Sequence, residues 1–507
     1  MRGVTRAALA CLVAGCAPSP QEASSVPVAA PVAAPDARET RPNMLLVSLD
    51  TTRADRLSLY GGPNPTSPNL ARLAQAGVTF TRAFAPGNES LYSHAALFTG
   101  RWPSEVAPPD YRAYGIPDGT PTLARVLSTY GYATAAFTGG GHVVAPFGFD
   151  EGFDTFRSVP VGTFGSLQDT VPSARAWMRA QAGPWFAFVH GYDAHSPYAP
   201  PDPWTHLFTG QGSATIERLV ADAVAVEQVR GRRWFPARTP HDFVHASGRT
   251  VLDPTLYTLP ATPRDDEPWE DLSEDDVGHL KAHYDAALAY QDAWLGTLLA
   301  DVDLARTLVI VVSDHGEDLL DHGFANHRAG LWDSTTRVPM VVAGPGIPAG
   351  RSVDTLVDLR DVAPTALRAA RATVPAGARG LALQDVLAGG APARDAVYAE
   401  GVMEMASVRT ATHRLVVRGL TLGDGSAERL RALPWRAFDL YDTGRDPAEQ
   451  RDLLEAGADT ALAERLRDRM VAWRRQLVAP DAPFAGEVPA ALEKGLQAQG
   501  YWTPDAR

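Results

Sequence analysis

The sequence predicts an α/β protein whose large, mostly parallel sheet is flanked by helices and followed by a smaller C-terminal α+β subdomain. Short apolar segments alternate with helical segments over the first two thirds of the chain, which is typical of a parallel sheet covered on both faces. Acidic and histidine residues directly follow several apolar segments, where ligands gather in such folds. After about Gly344 the segments become short and alternating, which indicates antiparallel strands.

Five apolar segments predict the buried strands of the large sheet, namely residues 43–50, 132–138, 185–190, 307–312 and 338–343. A helix from Ser67 to about Gly77 is expected because serine is a favoured N-cap and proline fits the first turn. Two further helices are predicted over residues 122–129 and 283–299. The second of them has one apolar face, formed by Tyr284, Leu288, Leu295 and Leu298.

Residues 43–345 form the predicted main α/β domain, and residues 346–507 form the C-terminal part. In the C-terminal part, strands are predicted at residues 397–400, 407–410, 414–417 and 438–441, and an arginine-rich amphipathic helix at residues 462–477. Within the main domain, the stretch from about 200 to 274 has many prolines and weak periodicity. We interpret that stretch as an insertion near the site.

The composition excludes two classes of protein. The 507 residues carry a formal net charge of −13, whereas a nucleic-acid-binding protein needs a basic surface, so no nucleic-acid partner is expected. The only cysteines are Cys11 and Cys16, which excludes a disulfide framework or a cysteine zinc site in the folded part. Nearly all positive charge is arginine, because the only lysines are Lys281 and Lys494.

The N-terminus has the pattern of a bacterial lipoprotein signal. Arg2 and Arg6 precede a short apolar run over residues 7–15. This run is too short to span a bilayer. Residues 12–16, Leu-Val-Ala-Gly-Cys, resemble a lipobox, in which cleavage precedes the cysteine and its thiol is lipidated. We therefore expect lipidation of Cys16, and an ordinary signal peptide is the alternative.

This interpretation divides the N-terminal region into two functional segments. Residues 1–15 are expected to be the lipoprotein signal peptide, and residues 16–42, rich in alanine and proline, an extended tether. The residue after the cysteine is Ala17, whereas an aspartate there would resemble an inner-membrane retention signal. We expect a lipid-anchored protein of the bacterial cell envelope, at the outer membrane or facing the periplasm.

Carboxylates and a histidine follow two of the predicted strands. Asp50 ends the first strand, and Asp314 and His315 follow the fourth. Two carboxylates and an imidazole that converge suit one divalent cation, and their mixed oxygen and nitrogen donors fit Mn²⁺ or Zn²⁺ better than Ca²⁺. A lone aspartate after a strand is more often a helix cap, but several such positions together favour a metal site.

Ser90 precedes a short helical run, where backbone N–H groups and the helix dipole favour an anion. A serine in that position beside a metal can be deprotonated and attack phosphorus or sulfur. The alternative is that Ser90 is only the N-cap of the helix.

Seven segments together resemble the successive motifs of the sulfatase family, which belongs to the alkaline phosphatase superfamily. They are residues 49–57, 66–70, 90–100, 148–154, 193–198, 313–317 and 337–339, and they occur in family order. The resemblance extends from about Pro42 to Leu477. It implies an alkaline phosphatase-like fold, with residues 43–345 as the catalytic domain.

The resemblance also implies roles for particular residues. Asp50, Asp314 and His315 would hold one divalent metal ion, Mn, Zn or Ca, and Ser90 would be both nucleophile and metal ligand. His195 and His327 would contact the transferred group or the leaving oxygen.

Departures from the family pattern point to an unmodified serine. Sulfatases oxidise a cysteine or serine to formylglycine, guided by a proline two residues on and an arginine four residues on. Tyr92 and His94 occupy those positions, which argues against formylglycine at Ser90 and resembles relatives with a plain Ser or Thr nucleophile. The two lysines that hold sulfate in the family are missing, and His142 and His327 are the candidates to take their place. His94 and His142 are the candidate substrate-binding residues.

Three functions are compatible with these observations. The first is a sulfatase-type hydrolase of sulfate esters, or of related phospho- and phosphonate esters, on a small molecule, glycan or lipid. The second is a transferase that moves a phospho-substituent onto an envelope acceptor, and the third is a non-catalytic binding lipoprotein on a degenerate scaffold. The plain serine favours phosphoester over sulfate turnover. Outside the site, His206, His241, His245 and His279 are predicted at the surface, and His283 and His413 in structural roles.

Overall fold

A computed structural model of the chain describes residues 41–498 with gaps. The gaps are residues 108–113, 161, 211, 219, 222–236, 239–269, 323–324, 391–393, 403, 421, 423–424, 456–459, 481–483 and 487. The expected signal peptide, Cys16 and nearly all of the tether lie outside the described residues. So do His241, His245 and most of the interval 200–274.

The strands of the described part are short and mostly buried. In chain order they are β1 (Asn43–Leu49), β2 (Gly77–Phe80), β3 (Ala83–Phe84), β4 (Ala133–Thr138), β5 (Thr155–Ser158), β6 (Trp185–Gly191), β7 (Ala237–Arg238), β8 (Glu270–Asp271), β9 (Thr307–Val312), β10 (Asp318–Leu319), β11 (Ala325–Asn326), β12 (Arg337–Val338), β13 (Met340–Ala343), β14 (Arg351–Val353), β15 (Val357–Asp358), β16 (Ala396–Gly401), β17 (Met405–Thr410), β18 (His413–Val417) and β19 (Phe438–Asp442).

The α-helices of the described part cover the strands. They are α1 (Pro68–Gln75), α2 (Ser90–Thr99), α3 (Pro103–Val106), α4 (Leu123–Thr129), α5 (Leu167–Arg179), α6 (Glu274–Leu299), α7 (Asp333–Thr336), α8 (Val362–Ala369), α9 (Leu383–Ala388), α10 (Ser426–Ala432), α11 (Thr460–Gln476) and α12 (Ala490–Ala498). None of the helices in this part of the chain has both the length and the apolar character needed to cross a bilayer.

The central sheet has eight strands in the order β14-β2-β13-β9-β1-β6-β4-β5. Its middle strands β9, β1, β6, β4 and β5 are mutually parallel, whereas β13 pairs antiparallel with both β9 and β2. A separate four-stranded antiparallel sheet, β16-β17-β18-β19, forms the C-terminal subdomain with α11 packed against it. The predicted fold class, a large mostly parallel sheet with a smaller C-terminal α+β subdomain, is confirmed.

Both faces of the central sheet are apolar, which explains why its strands are continuous hydrophobic runs. In β1, Met44 and Leu46 belong to the core on one face, which includes α2 and α8, while Leu45 and Val47 belong to the core on the other, which includes α1, α5 and α6. Burial on both faces fixes the strands and leaves their carboxyl ends as the polar edge of the sheet.

Two predicted elements differ from the observed ones. Residues 338–343 are divided by Pro339, which cannot donate to a ladder, so β12 joins β3 and β15 while β13 enters the central sheet. The helix predicted at residues 283–299 begins at Glu274, because the Ser273 hydroxyl caps it by accepting the backbone N–H of Asp276. The prediction that His279 lies at the surface is therefore wrong, since it is buried on this helix.

Candidate active site

The site lies where four neighbouring parallel strands end. Asp314 and His315 follow β9, Asp50 follows β1, His195 lies just beyond β6, and His142 lies just beyond β4. Because the carboxyl ends of parallel strands meet at one edge of the sheet, residues far apart in the sequence come together there.

Helix α2 presents Ser90 to the carboxylates. Ser90 is the first residue of the helix, and the extended residue before it, Glu89, is the N-cap, so the interpretation of Ser90 as a mere N-cap is wrong. The Ser90 hydroxyl donates to Oδ2 of Asp50 at 3.0 Å, and its Oγ lies 3.3 Å from Nε2 of His315. The hydroxyl is thus shared between two acceptors at the positive end of a buried helix.

The protonation of His315 suits it to a metal ligand. Its Nδ1 lies 3.0 Å from the carbonyl oxygen of Gly316, and a carbonyl can only accept, so in the neutral ring Nδ1 carries the proton. Nε2 then keeps a lone pair that faces Ser90 and Oδ2 of Asp314, which is 3.3 Å away. A metal-bound histidine typically donates its other N–H to a carbonyl or carboxylate in this way.

Asp50 and Asp314 form a buried acidic pair that fits a cation. Both side chains are fully buried, and Oδ1 of Asp50 and Oδ2 of Asp314 accept no hydrogen bond. Burial, and then the negative charge of Asp314, raise the pKa of the Asp50 carboxyl well above its ordinary value. Ligand atoms of Asp50, Asp314 and His315 all lie within 4.8 Å of one another, which is compatible with one shared divalent ion.

Backbone strain next to Asp50 helps to shape this pair. Thr51 has a φ of 52°, which is uncommon for a residue with a Cβ and is found mainly where function requires it. This conformation directs its N–H to Oδ1 of Asp314 at 3.2 Å, while its carbonyl oxygen accepts the hydroxyl of Tyr284 at 2.6 Å. The loop after β1 therefore holds both carboxylates of the pair in place.

His94, predicted to bind substrate, lies behind the nucleophile. Its Nδ1 is 2.9 Å from the carbonyl oxygen of Ser90, and its Nε2 is 2.9 Å from the hydroxyl of Ser48. Both ring nitrogens are thus occupied by the chain itself, and the side chain is fully buried. His190 lies beside it, with Nε2 3.4 Å from Oδ2 of Asp50, so the two histidines support the nucleophile and the acidic pair.

Three further histidines, His142, His195 and His327, lie around Glu89 and His315. The rings of His195 and His327 have centroids 5.5 Å apart, and those of His315 and His327 are 4.3 Å apart. His142 lies 3.4 Å from Oε1 of Glu89, which directly precedes the nucleophile. Burial, followed by the positive neighbours, holds the pKa values of His142 and His327 well below the ordinary range.

His195 is built as a neutral base. Burial lowers its pKa to about 4, so the ring is uncharged at neutral pH. Its Nδ1 lies 2.9 Å from the carbonyl oxygen of Ser196 and therefore carries the proton, which leaves Nε2 as the acceptor. A neutral imidazole can take a proton from water or from an attacking group through its unprotonated nitrogen, here Nε2.

Sequence reasoning gave no role to four residues that line the site. Glu89 is 3.2 Å from Nε of Arg328, Glu317 is 3.4 Å from Nδ1 of His327, and the Tyr192 hydroxyl accepts the backbone N–H of His142. Glu317 lies within residues 313–317, one of the seven motif segments, and Arg328 directly follows His327. Both residues could therefore have been found from their place in the sequence. The only sequence feature that indicates Glu89 is its place directly before Ser90. That place indicates a role only once the helix is known to begin at Ser90.

Two named sulfatases are similar to this chain in sequence. Arylsulfatase K of Rattus norvegicus is 24% identical over 381 residues, 69% of this chain and 64% of the rat protein, so the chain spans slightly less than two thirds of that relative. Delta 4,5-hexuronate-2-O-sulfatase of Bacteroides thetaiotaomicron is 24% identical over 452 residues, covering 83% of this chain and 86% of the relative.

A solved structure shares the fold, and two family models match the chain. The phosphonate monoester hydrolase of Agrobacterium radiobacter superposes with a TM-score of 0.63 at 23% identity, covering 86% of this chain and 96% of that one. The model for the C-terminal region of N-sulphoglucosamine sulphohydrolase matches residues 320–476. The model named Sulfatase matches residues 42–372, about two thirds of the chain, and the chain therefore belongs to the sulfatase family.

Proposed function

We propose that the chain is a metal-dependent ester hydrolase that uses Ser90, unmodified, as its nucleophile. The observation that carries this proposal is the position of the Ser90 hydroxyl, within hydrogen-bonding distance of Asp50 Oδ2 and His315 Nε2 at the start of a buried helix. A divalent ion held by Asp50, Asp314 and His315 would lower the pKa of that hydroxyl and neutralise charge on the ester oxygens.

The residues of the chain divide the chemistry between them. Ser90 Oγ forms the new bond to phosphorus or sulfur while the bond to the leaving oxygen breaks, and its proton passes to Oδ2 of Asp50, which accepts its hydrogen bond. The ring of His327 is neutral, so its N–H hydrogen-bonds to the leaving oxygen, which takes a proton from solvent and departs as an alcohol. Water then attacks the seryl ester while its bond to Ser90 Oγ breaks. Nε2 of His195 takes a proton from that water and releases it to solvent, and Ser90 Oγ takes back the proton held by Asp50.

We propose a preference for phosphodiester or phosphonate esters over sulfate esters. A plain serine leaves an ester that water must cleave in line, which is feasible at phosphorus. The aldehyde hydrate of formylglycine instead releases sulfate through its second hydroxyl, and Tyr92 and His94 stand where the residues that guide its formation are found. The relatives include named sulfatases, and the superposed Agrobacterium radiobacter enzyme is a phosphonate monoester hydrolase, which supports both chemistries in the family.

A substrate panel tests the function. Purified protein would be assayed with an aryl sulfate, a phosphate monoester, a phosphodiester and a phosphonate monoester, each with Mn²⁺, Zn²⁺ and Ca²⁺. We expect phosphodiester or phosphonate turnover that needs the metal and disappears in Ser90→Ala. Efficient aryl sulfate hydrolysis without phosphoester activity would contradict the substrate preference, and equal activity of wild type and Ser90→Ala would contradict the nucleophile.

We propose further that the protein is anchored in the cell envelope through lipid on Cys16. The support is the lipobox-like segment at residues 12–16, with small residues before the cysteine. Membrane fractions of cells that express the full chain should contain the protein, and Cys16→Ser should release it. Mass spectrometry that finds an unmodified Met1 would reject the proposal.

A further inference from the structure

A second group of metal-ligating side chains lies outside the site described above. Glu217 precedes helix α6 by about sixty residues in sequence, and His279 and His283 are four residues apart on that helix. Oε1 of Glu217 is 2.9 Å from Nε2 of His279 and 3.2 Å from Nε2 of His283. Two imidazoles thus converge on one carboxylate oxygen, although nothing in the sulfatase motifs involves these residues.

The position of Glu217 is fixed by packing rather than by chance contact. The helical turn at residues 214–218 buries Ile216 completely, and Ile216 belongs to the same apolar core as Leu280 of α6. At its start, the Ser213 hydroxyl hydrogen-bonds to the carboxylate of Asp276. These contacts anchor the residues directly before Glu217 to α6.

The geometry of the three donor atoms is close to that of a tetrahedral zinc site. Zn²⁺ binds nitrogen and oxygen at about 2.0–2.1 Å, so the ligand atoms of a tetrahedral site are about 3.3 Å apart. The two separations from Glu217 Oε1, 2.9 and 3.2 Å, approach that edge, and all three donor atoms lie within 4.8 Å of one another. Shifts of a few tenths of an ångström up to about one ångström would open the centre for an ion.

A fourth donor is close by. Nδ1 of His206 lies 3.8 Å from Oε1 of Glu217, and its side chain is exposed, so it is free to move toward the cluster. Two histidines at i and i+4 on a helix with a carboxylate from another segment are the donor set of zinc sites, whereas Mg²⁺ and Ca²⁺ prefer oxygen alone. His279 and His283 are also buried, which favours a bound ion over exchange with bulk water.

We propose that Glu217, His279 and His283, with His206 as a fourth ligand, bind a zinc ion that is separate from the Asp50–Asp314–His315 centre. The zinc ion joins the segment that follows the His195 loop to helix α6. The same helix carries Tyr284, whose hydroxyl donates to the carbonyl of Thr51 beside Asp50. The role of this ion is structural, because its ligands fill all four positions of a tetrahedron and leave none for substrate.

Metal analysis of the full chain in the Asp314→Asn background tests the proposal. This variant weakens the first centre, so zinc that remains after loading and desalting reports on the second. We expect about one equivalent of zinc in Asp314→Asn, and its loss in Asp314→Asn combined with Glu217→Gln. Glu217 is partly exposed and glutamine has nearly the same shape, so the fold should tolerate this change.

Two controls keep the outcome decisive. Asp314→Asn combined with His413→Ala removes a histidine from the C-terminal subdomain and should keep its zinc. Cobalt loaded in place of zinc should give the visible absorption of a four-coordinate ion in Asp314→Asn, and that absorption should vanish in Asp314→Asn with His283→Ala. Equal zinc contents with and without Glu217→Gln, in proteins with the same thermal unfolding midpoint in chelator, would overturn the proposal. Loss of zinc from the His413 control would overturn it as well.

Discussion

The hydroxyl of Ser90 lies 3.0 Å from Oδ2 of Asp50, although forty positions separate the two residues in the sequence. Asp50 is fixed by the end of strand β1, and Ser90 by the first turn of helix α2, so neither position depends on a mobile loop. The contact places a nucleophile against a carboxylate whose other oxygen accepts no hydrogen bond. The fold thereby places a nucleophilic hydroxyl beside a carboxylate that has one oxygen left for a metal ion.

The first prediction concerns Ser90 itself. We expect Ser90→Ala to lower kcat/KM on the best substrate by roughly a thousandfold or more, because no other group replaces an attacking oxygen. Mass spectrometry of the peptide covering residues 83–101 should show serine rather than the loss of two hydrogens that formylglycine gives. Ser93→Ala, which changes a buried serine of the same helix, is the matched control and should retain most activity. Formylglycine at position 90 would disprove the direct-serine mechanism.

The second prediction concerns the acidic pair. Asp314→Asn removes one anionic donor, so metal affinity and activity should fall together, by at least about a hundredfold in affinity. Elemental analysis and kinetics on the same preparation measure both quantities. Asp285→Asn is the control, because Asp285 is equally buried but pairs with Arg56 and is not a member of the acidic pair. A full metal load in Asp314→Asn would show that Asp314 is not a ligand.

The strands of the sheet were readable from sequence because they are buried on both faces. Residues 307–312 were predicted as a strand and are β9 without a shift at either end. The edge strand β14 was missed, because its residues are largely exposed and give no apolar run. The antiparallel direction of β13 is set by where the chain returns to the sheet, and no local pattern reports it.

The site was readable only in part, for a related reason. Asp50, Asp314 and His315 each directly follow an apolar strand, so their convergence was expected from the sheet alone. His279 and His283 had visible i, i+4 spacing, but their partner Glu217 comes from a segment with weak periodicity. Contacts made between a helix and a segment of weak periodicity leave no periodic trace in the sequence.

The third prediction concerns His195 as a base. Because Nδ1 is held by the Ser196 carbonyl, only Nε2 can accept a proton, and glutamine cannot replace that function. His195→Gln should lower kcat by roughly 10²–10⁴-fold while KM changes little. Steady-state kinetics with saturating metal measure this split. A large rise in KM with unchanged kcat would instead assign His195 to substrate binding.

The fourth prediction concerns pH and the fold around the His195 loop. Oδ2 of Asp193 accepts, at 2.9 Å, the backbone N–H of Leu167, which is the first residue of α5. Burial raises the pKa of the Asp193 carboxyl from 3.8 to about 7. A raised carboxyl pKa means that the folded protein favours the protonated form. The contribution of Asp193 to stability is therefore present below pH 4 and is lost as the pH rises toward 7.

Asp193→Asn removes this dependence and keeps an oxygen that can accept the N–H of Leu167. Urea unfolding at pH 5 and pH 8 measures the pH dependence of the free energy of unfolding. The effect is large enough to detect, because one pKa unit corresponds to about 1.4 kcal/mol. Relative to wild type, Asp193→Asn should gain about 2–3 kcal/mol in the free energy of unfolding on going from pH 5 to pH 8. Asp118→Asn, at an exposed carboxylate, should give no such gain, because an exposed group keeps nearly the same environment after unfolding. A pH dependence equal to that of wild type in Asp193→Asn would show that the Asp193 carboxyl is ionised in the folded protein at pH 5, and that solvent or a cation reaches the loop after β6.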